Sequence, residues 1–131
     1  MATVRPRVLL ADDHAANTAL LLELLEADFE VVAAVEDGRA LVAAAEALQP
    51  DVVVTDISMP VMDGITATSE IRRRVPAARV VIVTVHRDAA LIRRGLAAGA
   101  LGYVVKASAG DELVPAIWAT LRGERWCLCS S

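Results

Sequence analysis

Asp51-Val52-Val53-Val54-Thr55-Asp56 is the stretch that decides the fold. Three valines and a threonine in a row are β-branched, which suits a pleated and buried surface. The run does not alternate between apolar and polar residues, so it fits a parallel strand covered on both faces. It then stops on an aspartate. Moving outward, the same design recurs. Arg7-Val8-Leu9-Leu10-Ala11 stops on Asp12 and Asp13, Glu30-Val31-Val32-Ala33-Ala34-Val35 stops before Asp37-Gly38, Arg79-Val80-Val81-Ile82-Val83-Thr84 ends in a hydroxyl, and residues 101–105 (LGYVV) lead into Lys106.

Helical periodicity fills the gaps between these runs. Across residues 15–28 the leucines at Leu21, Leu24 and Leu25, and at Leu20 and Leu24, follow helical spacing, with Glu23 and Glu26 on the other side. Asp37-Gly38 opens a helix whose Leu41, Ala45 and Leu48 share a face and which Pro50 ends. Asp63-Gly64 starts a helix reaching to Arg74, and Asp88 caps another reaching to Ala98. Ser108 with Asp111 three residues later reads as a capping box for a helix carrying Leu113, Ile117 and Leu121, closed by Gly123. Strand then helix, five times, predicts a three-layer α/β/α sandwich, because parallel neighbours need a helical crossover.

That architecture brings distant residues together. Asp12, Asp56, Thr84 and Lys106 are separated by 44, 28 and 22 positions. With roughly 22 to 28 residues per strand–helix unit, these gaps are two, one and one units, so all four fall at one edge of the sheet. Strand ends of an open α/β sheet converge on a single crevice. Taken singly, Asp56 reads as a turn residue, Thr84 as a strand former, Lys106 as a surface cation and the Asp12–Asp13 pair as helix N-terminal acids. Their coincidence at one edge is what favours function.

Three carboxylates within about 5 Å of one another would repel by roughly 3 kcal/mol per pair at an effective dielectric of 20. A hard divalent cation compensates, and an all-oxygen donor set suits Mg²⁺ better than zinc. A carboxylate beside such a cation can attack an activated phosphorus to give an acyl phosphate. Lys106 would then meet phosphoryl oxygens as a point charge and the Thr84 hydroxyl would donate to another. His14 and His86 read as gate or surface residues, Trp118 and Trp126 as packing groups, and Arg72-Arg73-Arg74 and Arg93-Arg94 as solvated helix faces.

Composition bounds the remaining possibilities. The chain has 131 residues, enough for one domain, with a core at about residues 7–123 and a linker or tail beginning at 124–131. It is 56% hydrophobic but 3% aromatic, so aliphatic side chains must fill the core. A formal charge of -4 gives no electrostatic footprint for nucleic acid within these residues. No run approaches the ~18 apolar residues of a membrane span, and residues 1–6 lack a signal peptide's apolar stretch, so the expectation is a cytoplasmic chain without membrane contact. Cys127 and Cys129 lack the second ligand pair of a zinc site and read as incidental reduced thiols.

The motifs Val8-Leu9-Leu10-Ala11-Asp12-Asp13-His14, Asp56-Ile57-Ser58-Met59-Pro60-Val61-Met62-Asp63-Gly64, Thr84 and Gly102-Tyr103-Val104-Val105-Lys106 together resemble the receiver domain of bacterial two-component response regulators. The resemblance implies a flavodoxin-like sheet in the order 2-1-3-4-5 and a phosphoacceptor at Asp56. It implies Mg²⁺ held by Asp13, Asp56 and the Ser58 backbone carbonyl, with Asp12 reaching the metal through water. Phosphorylation would draw in Thr84, shift the loop above it and turn Tyr103 inward, and hydrolysis would reset the state. The implied donor is a sensor histidine kinase, with small acyl phosphates as substitutes, and phosphorylation can drive homodimer formation. The tail resembles the NarL-type subgroup, whose members continue into a helix-turn-helix domain, so DNA contact and control of transcription are expected only through such a domain, absent from these residues.

Two positions depart from the family pattern. Ala107 stands where many receivers have a cis-proline, and a cis bond there would cost ~3 kcal/mol. Val85 stands where a small residue is common and would narrow access to Asp56. The expected role is signalling rather than turnover catalysis. Of the rivals, a Mg²⁺-dependent phosphohydrolase lacks its D-x-D pattern at Asp56-Ile57-Ser58, a non-phosphorylated pseudo-receiver does not need the intact cluster, and a dinucleotide-binding domain needs a G-x-G-x-x-G after the first strand.

Overall fold

In a computed structural model of the chain, residues 4–127 are described. The elements run β1 (Arg7–Ala11), α1 (Ala15–Leu25), β2 (Glu30–Val35), α2 (Gly38–Leu48), β3 (Val52–Thr55), α3 (Gly64–Arg74), β4 (Arg79–Thr84), α4 (Ala89–Ala97), β5 (Gly102–Val105), a 3-10 turn (Lys106–Ser108) and α5 (Ala109–Leu121). The five strands form one parallel sheet in the order β2-β1-β3-β4-β5. This is the flavodoxin-like, three-layer arrangement the strand–helix alternation predicts.

The alternation of side chains along each strand divides the core in two. Leu9, Val53, Val80, Ile82 and Tyr103 face one way and meet Leu41, Ala45, Ile65, Ile71 and Ile92 from α2, α3 and α4. Val8, Leu10, Val52, Val54, Val81, Val83 and Val104 face the other way and meet Leu21, Leu25, Leu113 and Ile117 from α1 and α5. Both faces of β3 are therefore covered, which is why Val52-Val53-Val54 shows no polar alternation.

The helix starts obey different local rules. Asp63 caps α3 as expected: one carboxylate oxygen accepts from the amides of Ile65 and Thr66, both at 2.8 Å, and the other from the Thr66 hydroxyl at 2.9 Å. Burial pushes its carboxyl up, but those hydrogen bonds and the charge of Arg94 outweigh burial and hold it below the ordinary 3.8. A depressed folded value stabilises above the ordinary carboxylate range and is lost as pH falls through the folded value. Asp63→Ala is expected to cost about 1 kcal/mol near neutrality. Urea denaturation should show that difference shrinking in acid.

Ser108 and Asp88 behave otherwise. Each stands at an N-cap, but neither side chain makes a capping hydrogen bond. The 3-10 turn occupies the residues before α5, so the expected Ser108–Asp111 capping box does not form. In α1 the helix ends at Leu25, and Leu20 lies exposed while Leu21 and Leu25 are buried. There are no cis peptide bonds among the described residues, so Lys106–Ala107 is trans.

Beyond α5 the chain turns at Gly123, φ 82, and runs back beside β5, where Gly102 and Trp126 form a parallel bridge. Cys127 is not the reduced thiol expected of it but is disulfide-bonded. Cys129 lies outside the described residues. Among the described residues no helix is long and apolar enough to cross a membrane.

Candidate functional site

The strand ends do converge. The Asp56 amide donates to the Ala11 carbonyl at 3.1 Å and the Asp12 amide to the Val35 carbonyl at 3.1 Å, so the β1, β2 and β3 ends are locked in step just where the aspartates begin. Asp12 is 2% exposed and Asp56 5%. Burying two carboxylates demands compensation. Lys106, carried in from the end of β5, supplies it: its ammonium donates to Asp56 Oδ2 at 2.7 Å and to Asp12 Oδ2 at 2.9 Å. Its side chain is 16% exposed. Burial pulls the ammonium down, but the hydrogen bonds and charges of Asp56 and Asp12 outweigh that and raise it above its ordinary 10.5.

The remaining oxygens have local partners. Asp56 Oδ1 accepts from the Ile57 amide at 2.6 Å, and Asp12 Oδ1 from the His14 amide at 2.9 Å. Asp13 Oδ1 is buried without a hydrogen-bond partner, although His14 Nδ1 lies 3.0 Å from it. Asp12, Asp13, His14 and Asp56 each offer a ligand atom within 4.8 Å of the others. Two shared carboxylates against one ammonium, with Asp13 alongside, leave this hollow net negative. Its donors are mainly hard oxygens, and one is an orphaned carboxylate oxygen, a set that fits a divalent cation such as Mg²⁺.

The other predicted residues lie around the rim. Thr84, fully buried at the end of β4, accepts from the His86 amide at 3.4 Å and makes no hydrogen bond to Asp56. Ser58 is exposed and its hydroxyl meets His86 Nε2 at 3.1 Å. Tyr103 is already turned inward: it is fully buried and its hydroxyl donates to the His86 carbonyl at 3.0 Å. Burial, with the charges of Asp88 and Asp56 nearby, pushes that hydroxyl up to about 12, so it remains a donor. Val85 points to solvent.

Three features escape sequence reasoning. His86 links Ser58, 28 positions away, to Tyr103, and neither histidine carries a motif of its own. Gly64 touches the backbone of Asp56: a Cβ there would stand 1.8 Å from the Asp56 carbonyl oxygen. Val61 sits at φ 70, with the Met62 amide on the Pro60 carbonyl at 2.7 Å, a strained γ-turn for a β-branched residue. A Gly at this loop position would have been a signal, but a valine gives none.

Comparison with known proteins agrees with this geometry. The family model described as the response regulator receiver domain matches residues 8–118. The chain is 40% identical over 117 residues to the transcriptional regulatory protein PdtaR of Mycobacterium tuberculosis, covering 88% of this chain and 57% of that one. It is 39% identical over 120 residues to the transcriptional regulatory protein LiaR of Bacillus subtilis, covering 90% and 57%. It thus spans little more than half the length of these relatives. A crystal structure of a LuxR-family two-component response regulator from Aurantimonas sp. superposes with a TM-score of 0.89 at 38% identity, over 93% of this chain and 89% of that one. With the acidic hollow at the carboxyl ends of a 2-1-3-4-5 sheet, the match over most of its length makes this chain a member of the response regulator receiver domain family.

Proposed function

We propose that Asp56 is the phosphoacceptor of this receiver domain. The observation that carries the reading is the buried bridge Asp12–Lys106–Asp56, which orients the Asp56 carboxylate toward the hollow and keeps an ammonium 2.7 Å from it. In the transfer, an Asp56 oxygen forms a bond to the donor's phosphorus while the bond to the donor's leaving group breaks. The leaving group is the imidazole nitrogen of a sensor histidine kinase or the carboxylate of a small acyl phosphate.

Asp13, Asp56 and the Ser58 carbonyl would hold Mg²⁺, with Asp12 contributing through water. When bound there, Mg²⁺ supplies charge neutralisation for the carboxylates and the incoming phosphoryl oxygens. Lys106 shifts its donors from Asp56 to a phosphoryl oxygen, and the Thr84 hydroxyl turns to another. Rotation of Thr84 moves the loop through His86, and the inward pose of Tyr103, held by the His86 carbonyl, is the one that phosphorylation would favour. Water then attacks the phosphorus and restores Asp56, so the domain assists its own dephosphorylation without acting as a turnover enzyme.

Residues 7–123 serve as the receiver core, and 124–131 begin the tail. The partners that fit are a sensor histidine kinase, a second copy of the chain on phosphorylation, and DNA through a helix-turn-helix domain outside these residues. The output is then transcription.

Mg²⁺ should raise the melting temperature of the wild-type chain and leave Asp13→Asn nearly unmoved, because the orphaned oxygen loses its charge. With Mg²⁺ and acetyl phosphate, intact mass should show one added phosphoryl that chelation prevents. Steady turnover of unrelated phosphate esters, or labelling that ignores chelation, would contradict the reading.

A further inference from the structure

We propose that residues 124–127 form a strap on the β5 edge whose docking reports the state of Asp56 through Tyr103; this rests on Asp56 being the phosphoacceptor. The Glu124 amide donates to the Ala119 carbonyl at 2.9 Å, closing the turn after α5. The Trp126 amide then donates to the Leu101 carbonyl at 2.9 Å and the Tyr103 amide to the Trp126 carbonyl at 2.7 Å. Side chains alternate as in a true strand. Trp126 packs with the cluster beneath α1 and α5, and Cys127 with the opposite cluster, which contains Tyr103. The Trp126 indole donates to Glu112 Oε1 of α5 at 3.2 Å.

Tyr103 is thereby tied at both ends. Its hydroxyl holds the His86 carbonyl, two residues beyond Thr84, and its amide holds the strap. The docked strap coincides with an inward Tyr103. An outward ring would give up the His86 bond and loosen the backbone of residue 103. Two backbone hydrogen bonds, one from the indole and packing against the cluster beneath α1 and α5 hold Trp126 in place, and a segment this short on a sheet edge opens locally rather than with the whole fold. A modest bias at Tyr103 therefore moves its population by a large factor. Coupling is reciprocal, so whatever phosphorylation does to the strap, the strap does to phosphorylation.

The test uses the full chain with Mg²⁺ and beryllofluoride as the phosphoryl mimic, binding being followed by fluorine NMR and the strap by amide hydrogen exchange. Saturation should raise protection of the Trp126 and Tyr103 amides by about fivefold or more. Glu112→Ala, which removes the acceptor of the indole N–H, should lower beryllofluoride affinity and shrink that gain. Tyr103→Phe keeps the ring but removes the hydroxyl, so the strap should stay docked and stop responding. Bound beryllofluoride with unchanged protection at Trp126 would overturn the strap while leaving the phosphoacceptor reading intact. No bound fluoride signal would overturn both.

Discussion

Gly64→Ala is expected to destabilise the domain by about 3 kcal/mol and to slow phosphorylation by on the order of a hundredfold. The cause is a collision with backbone. A Cβ at residue 64 would stand 1.8 Å from the Asp56 carbonyl oxygen and 2.8 Å from its carbonyl carbon. No rotamer relieves that, so either α3 or the end of β3 must move. The Gly64 amide also donates to the Ile57 carbonyl at 2.8 Å, so moving α3 breaks the bond that seats the helix beneath the acceptor loop. Moving β3 instead displaces Asp56 from Lys106. Urea denaturation reads the first effect and the rate of labelling by acetyl phosphate the second. A variant with wild-type stability and rate would mean that the contact between α3 and Asp56 is looser than described.

Lys106→Met should have two separable effects. Phosphoryl transfer loses a preorganised cationic donor, for which on the order of a hundredfold or more in rate is expected. In the absence of Mg²⁺, Asp12 and Asp56 keep their burial but lose the cation they share, for about 3 kcal/mol of stability near neutrality. Added Mg²⁺ should then raise the melting temperature of the variant more than that of the wild type, since it replaces a missing charge. The alkaline limb carries a sign as well. Lys106 is raised above 10.5 in the folded chain, so its contribution is fully present below 10.5 and is lost as pH rises through the folded value. The wild type should show that loss and Lys106→Met should not. Equal Mg²⁺ effects on the two proteins would argue that the ammonium and the metal do not share the same carboxylates.

Most of the architecture was legible because it depends on patterns that repeat. Unalternating β-branched runs mark strands covered twice, and their spacing places Asp12, Asp56 and Lys106 on one edge, where two hydrogen bonds join them. Interactions that depend on one position's surroundings were not legible. Ser108 satisfies the capping-box spacing, yet the 3-10 turn from Lys106 leaves it without the right backbone approach. Leu20 fits helical periodicity but lies outside the arc that α1 buries. Gly64 looks like an ordinary helix-opening residue, because sequence does not reveal which backbone passes above it. Residues 124–127 read as the start of a tail, and the single bridge at Trp126 has no period to detect. Thr84 lies at the predicted edge, but its hydroxyl faces the His86 amide rather than Asp56.

The switch turns most on the carboxylate of Asp56 being the atom group that receives phosphorus. Brief treatment with acetyl phosphate and Mg²⁺, reduction of the acyl phosphate with borohydride and peptide mapping by mass spectrometry would locate it. The predicted result is reduction at Asp56 and none in Asp56→Asn. Phosphoryl transfer to His14, His86 or Ser58 with Asp56 unmodified would contradict it.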